Sequence, residues 1–277
     1  MTKSRRFVWA TAVAIIVSVT LSCATKQTEE TATTGSKEAE SGPVFSPTGN
    51  EGSVAGVIAY TAAAPTPRKI QMDSDPICAQ KGKDATSEEL LVKDGKLQNV
   101  FVFVKSGLPR NTFPTPSQEV VLDQVGCRYV PHVVGLQTNQ AFKVVNSDAT
   151  NHNVHPVPQK NREWNETQYA SAPPIIKKFP LEEVLIPVKC NQHSWMKAWV
   201  GVLKHPFFAV SGADGSFTIK GLPPGEYELE AWHEKLNSKT LKVTVKEKTE
   251  AKADFSFEAS TAYQPGALKL QPALVLP

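Results

Sequence analysis

From Gly52 onward the chain alternates apolar and polar residues in short runs, the period of two that turns one side of a strand into a core. Val54–Tyr60, Leu97–Lys105, Glu119–Asp123, His132–Gln137 and Ala141–Asn146 read as strands. So do Val184–Lys189, Ala198–Leu203, Ser216–Lys220, Tyr227–Trp232 and Leu241–Lys246. No apolar repeat of helical spacing persists beyond two turns. Asp94-Gly95 predicts a hairpin turn between Leu91-Val92 and Leu97, and Asp214-Gly215 predicts another between Phe208-Ala209-Val210 and Phe217-Thr218-Ile219. Gly221-Leu222-Pro223-Pro224-Gly225 predicts a third tight connection, since proline sets φ and glycine supplies the positive φ of a reversal. Many short strands at this spacing predict an all-β chain built from β-sandwiches.

The pattern is missing at the ends. Lys3, Arg5 and Arg6 precede an apolar run, Phe7 to Thr20, that is too short for a comfortable membrane span, so residues 1–22 read as an export signal. Thr20-Leu21-Ser22-Cys23-Ala24 resembles a bacterial lipoprotein cleavage site. That resemblance implies a lipidated Cys23 as the first mature residue, and anchorage on the periplasmic or cell-surface face of a bacterial membrane. Residues 23–50 are rich in Thr, Glu, Ser, Gly and Lys and cannot bury enough apolar surface to fold. They predict a flexible tether with a root-mean-square span of roughly 30 Å. Residues 260–277 predict a loosely attached tail.

The formal net charge of +3 resides in Lys3, Arg5 and Arg6, and the remainder is balanced. Without a basic stripe or basic–aromatic interleaving, nucleic acid is not an expected partner. With Cys23 assigned to the anchor, Cys78, Cys127 and Cys190 remain. Export to an oxidising compartment favours pairing of two of them. If Cys190 is a metal ligand, Cys78 and Cys127 form the pair left over; two unpaired buried thiols are the alternative.

The chemistry concentrates in Val188-Lys189-Cys190-Asn191-Gln192-His193-Ser194-Trp195-Met196, where one short loop carries a thiol, an imidazole and a thioether. These are three of the four donor types of a blue-copper site. The fourth, a second imidazole, is offered upstream by His152 or His155. From 117 to 204 the chain resembles the cupredoxins of the plastocyanin and amicyanin kind. Val120-Val121-Leu122, Tyr129-Val130-Pro131, the turn Asn139-Gln140 and Phe142-Lys143-Val144-Val145-Asn146 occur in that family's order, and Cys-x-x-His-x-x-Met is similar to the ligand loop of amicyanin. The resemblance implies one type 1 copper ion held by His152, Cys190, His193 and Met196. His152 is preferred because Asn153 follows it and Asn146 closes the preceding strand, both as supporting residues around the ligands; His155 is the alternative ligand.

A second resemblance is to the carboxypeptidase regulatory-like domain, a small transthyretin-like sandwich. Its opening appears as Gly52-Ser53-Val54-Ala55-Gly56-Val57-Ile58. Its closing half appears as Asp214-Gly215-Ser216-Phe217-Thr218-Ile219, Gly221-Leu222-Pro223-Pro224-Gly225-Glu226-Tyr227 and Glu228-Leu229-Glu230-Ala231-Trp232-His233. The two halves, 51–110 and 205–259, flank the copper segment, which is therefore expected to be a Greek-key sandwich inserted in a loop of the other. Two partial sheets fused into one larger sandwich is the alternative.

A centre with four protein ligands leaves no open coordination position, so the expected role is one-electron exchange with a redox partner protein rather than enzymatic turnover. By resemblance the outward edge of His193 is the electron exit, with Trp195 and nearby apolar residues as a docking patch. A copper-holding or copper-delivery protein is the alternative, as is a carbohydrate- or protein-binding module in which the copper fold is vestigial. A copper enzyme of the nitrite-reductase kind would need a second histidine cluster. No Ser-His-Asp arrangement, paired carboxylates or phosphate-binding glycine loop offers another catalytic route.

Overall fold

The computed structural model describes residues 42–259. The expectations for 1–22, Cys23, most of the 23–50 tether and the 260–277 tail lie outside the described residues. Among those residues every regular element is β except one helix of six residues, Pro76–Lys81.

The middle of the chain forms two facing sheets. One runs in the order Glu166–Gln168, His152–Pro156, Glu183–Lys189, Lys197–Leu203, Val133–Gln137, and the other in the order Ile175–Lys177, Phe142–Asn146, Val120–Gln124, Tyr129–Val130. Alternation decides which side chains meet between them. In Phe142–Asn146, Phe142 and Val144 are buried while Lys143 is not, and they join Leu122, Tyr129, Leu136 and Ile186 in one core. Burying one such side chain fully stabilises the fold by about 1.5–3 kcal/mol.

Segments on both sides of this unit build a second sandwich. Gly52–Tyr60 pairs antiparallel with Ser216–Leu222 and parallel with Glu250–Lys252 and Phe255–Phe257. The opposing sheet orders Phe208–Val210, Phe101–Ser106, Gly225–His233 and Asn237–Val245. Val54, Ile58, Val102, Val104, Leu229 and Phe257 fill the space between them. Among the described residues no strand of the middle pair of sheets pairs with a strand of the flanking pair.

What joins the two units is a shared apolar layer. In Lys197–Leu203, Ala198, Val200 and Val202 face the middle core, while Trp199 and Leu203 face outward onto Phe101, Phe103, Phe208 and Trp232. Both faces of this strand are covered, which is why it reads as a continuous apolar run. Close approach demands glycine: a Cβ at Gly201 would stand 2.5 Å from Phe101 Cζ, and one at Gly135 2.4 Å from Phe208 Cε2. Trp199 and Trp232 meet edge to face with ring centroids 5.0 Å apart. His132 and Glu234 form a buried pair across the same layer.

The Asp94-Gly95 hairpin turn is where it was expected, joining Val92–Lys93 to Lys96–Leu97 with φ of 51° and 69° at its two central residues. Other expectations need correction. Asp214-Gly215 is also a turn, but the strands beside it belong to different sheets, so it connects layers rather than closing a hairpin. The end of the 23–50 tether is not loose: Phe45 N–H bonds Thr112 O at 2.8 Å, and its ring packs on Phe113 at 5.1 Å. Phe45 is the large apolar residue that draws this stretch onto the sandwich. The helix Pro76–Lys81 was unforeseen. Asp75 caps it by accepting from the Ile77 and Cys78 N–H groups, and Pro76 opens it where its missing N–H costs nothing.

Candidate metal centre

Strand Glu183–Lys189 delivers Cys190 to the edge of the middle core, and the loop to Met196 turns back on the sulfur. Cys190 N–H bonds Met196 O at 3.2 Å, and Met196 N–H bonds His193 O at 2.9 Å. The N–H groups of His193 and Asn153 donate to Cys190 Sγ at 3.4 and 3.3 Å. Two backbone donors thus converge on one sulfur.

On the other side, Asn146 ends its strand and ties the following loop. Its Nδ2 donates to Thr150 O at 2.9 Å and to Gln168 O at 3.1 Å, and its Oδ1 accepts from Asp148 N–H at 3.1 Å. His152 then opens a strand rather than sitting in a loop. Asn153 joins the loop around His152 to the loop 190–196 twice, through its N–H to the sulfur and through Oδ1, which accepts from Asn191 N–H at 3.1 Å. Tyr129 supports it from below by donating its hydroxyl to Asn153 O.

These loops bring His152, Cys190 and His193 together, one ligand atom of each lying within 4.8 Å of the others. His152 Nδ1 is 2.9 Å from His193 Nδ1, and Cys190 Sγ is 3.9 Å from His193 Nδ1. All three are buried, as is Met196, which packs in the same core cluster as Cys190. His155 is not brought to this cluster. Its Nδ1 faces Asn191 Oδ1 at 3.1 Å, and its Nε2 faces Glu163 Oε1 at 2.5 Å.

The donor set fits a cation. His152 Nε2 lies 3.0 Å from Asp148 Oδ2, and His193 Nε2 lies 3.5 Å from Asp75 Oδ2. Burial holds the His152 imidazole below its ordinary pKa even though Asp148 pulls the other way. A neutral ring that keeps its proton on Nε2 for the carboxylate has a bare lone pair on Nδ1. The two Nδ1 atoms lie 2.9 Å apart, close enough for one cation to be held by both. Two imidazoles with a thiolate and a thioether suit copper.

Asp75 and Asp148 were not foreseen beside these side chains, whereas Cys78 and Cys127 were named as a pair but not placed near them. Burial pushes both carboxyls upward, but backbone N–H donors, Thr150 for Asp75 and Lys81 for Asp148, hold both below the usual range. The structure joins Cys78 to Cys127 by a disulfide with Cα atoms 5.5 Å apart. Cys78 Sγ is 4.0 Å from His193 Nε2, Trp195 stacks on His193 with centroids 4.9 Å apart, and Trp195 Nε1 donates to Cys127 O at 3.0 Å. In consequence His193 is only 4% exposed. The expected open edge of His193 is thus covered by the segment around Pro76–Lys81, which belongs to a loop of the flanking sandwich. Beside it, exposed Ser194 and Lys197 and half-buried Trp195 line a cavity of about 350 Å³ together with Arg68, Glu88, Glu89 and Arg128. Asp148 stands four residues before His152 in the loop between two strands; Asp75 is too distant in sequence for any local signal.

The comparisons with known proteins are partial. The family described as "ER membrane protein complex subunit 7, beta-sandwich domain" matches residues 191–271, under half the chain, where a carboxypeptidase regulatory-like domain was expected. No curated protein matches the chain in sequence. Among solved structures, the chain is similar to a Cu-containing nitrite reductase from Thermus scotoductus SA-01 at 14% identity and a TM-score of 0.29, over 52% of this chain and 28% of that one. It is similar to an oxidised amicyanin variant at 18% identity and 0.28, over 30% of this chain and 81% of that one. It is also similar to pseudoazurin from Methylobacterium extorquens AM1 at 21% identity and 0.27, over 31% of this chain and 76% of that one. The chain spans little more than a quarter of the nitrite reductase's length.

Proposed function

We propose that this chain is an exported, lipid-anchored protein that holds one type 1 copper ion between His152, Cys190, His193 and Met196 and exchanges single electrons with a partner protein. The observation that carries the reading is the buried pair of Nδ1 atoms 2.9 Å apart beside a sulfur that already accepts two backbone N–H groups. Bound copper supplies one-electron redox chemistry there. The chain's own residues do the rest: the Asn146 and Asn153 bonds fix the two loops against each other, and the apolar core around Met196 excludes water. Rigid donors leave little to rearrange between oxidation states. Because His193 is covered, the partner docks on the Ser194–Lys197 side, where the ligand loop reaches solvent.

The resemblance of residues 20–24 to a lipoprotein cleavage site supports export and anchoring at Cys23, on the periplasmic or cell-surface face of a bacterial membrane. A copper-delivery role is a second reading, because the cap over His193 is a single short helix whose displacement would open the site. The two differ in exchange: an electron carrier keeps its copper while cycling, and a delivery protein gives Cu(I) to a competing ligand within minutes. The test is to add Cu(II) to the full-length chain and record visible absorption and electron paramagnetic resonance for wild type, His152→Ala and His155→Ala. A blue band lost only in His155→Ala would overturn the ligand assignment.

A further inference from the structure

Both histidines of the centre are backed by carboxylates, and neither carboxylate is free to move. Asp148 is fully buried in its side chain. Its Oδ1 accepts from Lys81 Nζ at 2.9 Å and Gly126 N–H at 2.9 Å; its Oδ2 accepts from Cys127 N–H at 2.8 Å and faces His152 Nε2 at 3.0 Å. Asp75 comes from the flanking sandwich's loop. Its Oδ1 accepts from Ile77 and Cys78 N–H at 2.8 and 3.0 Å, and its Oδ2 accepts from Thr150 Oγ1 at 2.8 Å while lying 3.5 Å from His193 Nε2. Each carboxylate therefore has three bonds that lock its own place before it meets a histidine.

Resting on the copper reading above, we infer that Asp148 and Asp75 are the positioning residues of this centre: they hold the Nε2–H groups of His152 and His193 outward, so that both Nδ1 donors point at one ion, and they bias the site toward the divalent state. A carboxylate accepting from the far nitrogen of an imidazole fixes its tautomer and strengthens it as a donor. The charge balance acts in the same direction. Two carboxylates stand against the rings, with Lys81 paired to one of them, and a divalent ion compensates them better than a monovalent one. The inference also gives the flanking sandwich a purpose, since its capping loop supplies Asp75 and half of the disulfide.

The test uses the full-length chain as wild type, Asp148→Asn and Asp75→Asn. Asparagine keeps the shape, and at position 75 it remains a good helix cap, so a merely structural role is rescued there; at position 148 its amide NH2 must face an N–H donor, which is why a second readout accompanies that variant. Cu(II) and Cu(I) affinities are measured by chelator competition, and the reduction potential by redox titration. Asp148→Asn is expected to weaken Cu(II) binding by about 10- to 100-fold and Cu(I) binding by less. Each tenfold change in their ratio raises the potential by about 59 mV. Asp75→Asn shifts in the same direction by less, because its contact is longer. Nitrogen-15 NMR of the metal-free wild type is expected to show Nε2–H on both rings, and this reading stands even if Asp148→Asn fails to fold. Blue variants with the wild-type potential, or an Nδ1–H tautomer in the metal-free chain, would overturn the inference while leaving the copper reading intact. A colourless wild type overturns the copper reading instead, and the NMR tautomers then decide the positioning role alone.

Discussion

Replacing both Cys78 and Cys127 by serine probes stability and the closure of the site together. The disulfide spans 49 residues of sequence and ties the loop of one sandwich to the other. In the chain-entropy account a closed loop of that length stabilises the fold by about 4 kcal/mol at 25 °C, within the usual range of about 2–5 kcal/mol. Without it, the cap over His193 is held by Lys81 to Asp148 and Thr150 to Asp75. These are bonds of about 1–3 kcal/mol each, fewer than global unfolding would break. Denaturant unfolding of the double variant should therefore lose about 4 kcal/mol. Removal of copper by a chelator should also quicken well beyond what that loss explains, because the cap opens locally. A loss below about 1 kcal/mol, or unchanged release of copper, would refute the view that this linkage holds the cap closed.

Other outcomes follow from the same geometry. Gly201→Ala places a Cβ 2.5 Å from Phe101 Cζ in the layer between the sandwiches, and thermal melting should show a loss of about 1–3 kcal/mol; an unchanged Tm would mean that the layer is loosely packed. Burial lowers His205 and His233 to about 4, so each contributes stability that is present above the unfolded value of 6.5 and lost as pH falls toward 4. That loss is about 3 kcal/mol per residue, measurable as a falling denaturant midpoint between these pH values. His132 runs the other way. Burial pulls its pKa down, but Glu234 carries it above the ordinary value, so the stability it adds is present below pH 6.5 and lost as pH rises through its folded value. In His132→Gln that loss on the alkaline side should be absent. Met196→Leu conserves volume and should cost under about 1.5 kcal/mol, yet it should change the visible spectrum if the thioether is a ligand.

Much of the sheet framework was legible because its strands carry their own pattern. Phe142–Asn146 alternates buried and half-buried positions as its residues suggest, and Lys197–Leu203 reads as an apolar run because it is covered on both faces. His152–Pro156 was not legible. Its histidines and asparagine carry no alternation, and it becomes a strand by pairing with Glu166–Gln168 and with the end of Glu183–Lys189. That His152, Cys190 and His193 meet could be expected from residue types and order, and the structure brings one atom of each within 4.8 Å of the others. The outer parts could not, because Cys78 stands 115 residues from His193, and nothing local in Ser74-Asp75-Pro76 says which ring the carboxylate will face. A sheet edge or a helix cap is a local property; which loop covers which site is settled by how two sandwiches pack.

The most direct measurement is the visible and paramagnetic spectrum of the full-length chain after addition of Cu(II), run beside Cys190→Ser. An intense blue band in the wild type that disappears in the variant is the predicted result. A wild-type chain that stays colourless, or a band that survives loss of the Cys190 sulfur, contradicts the account.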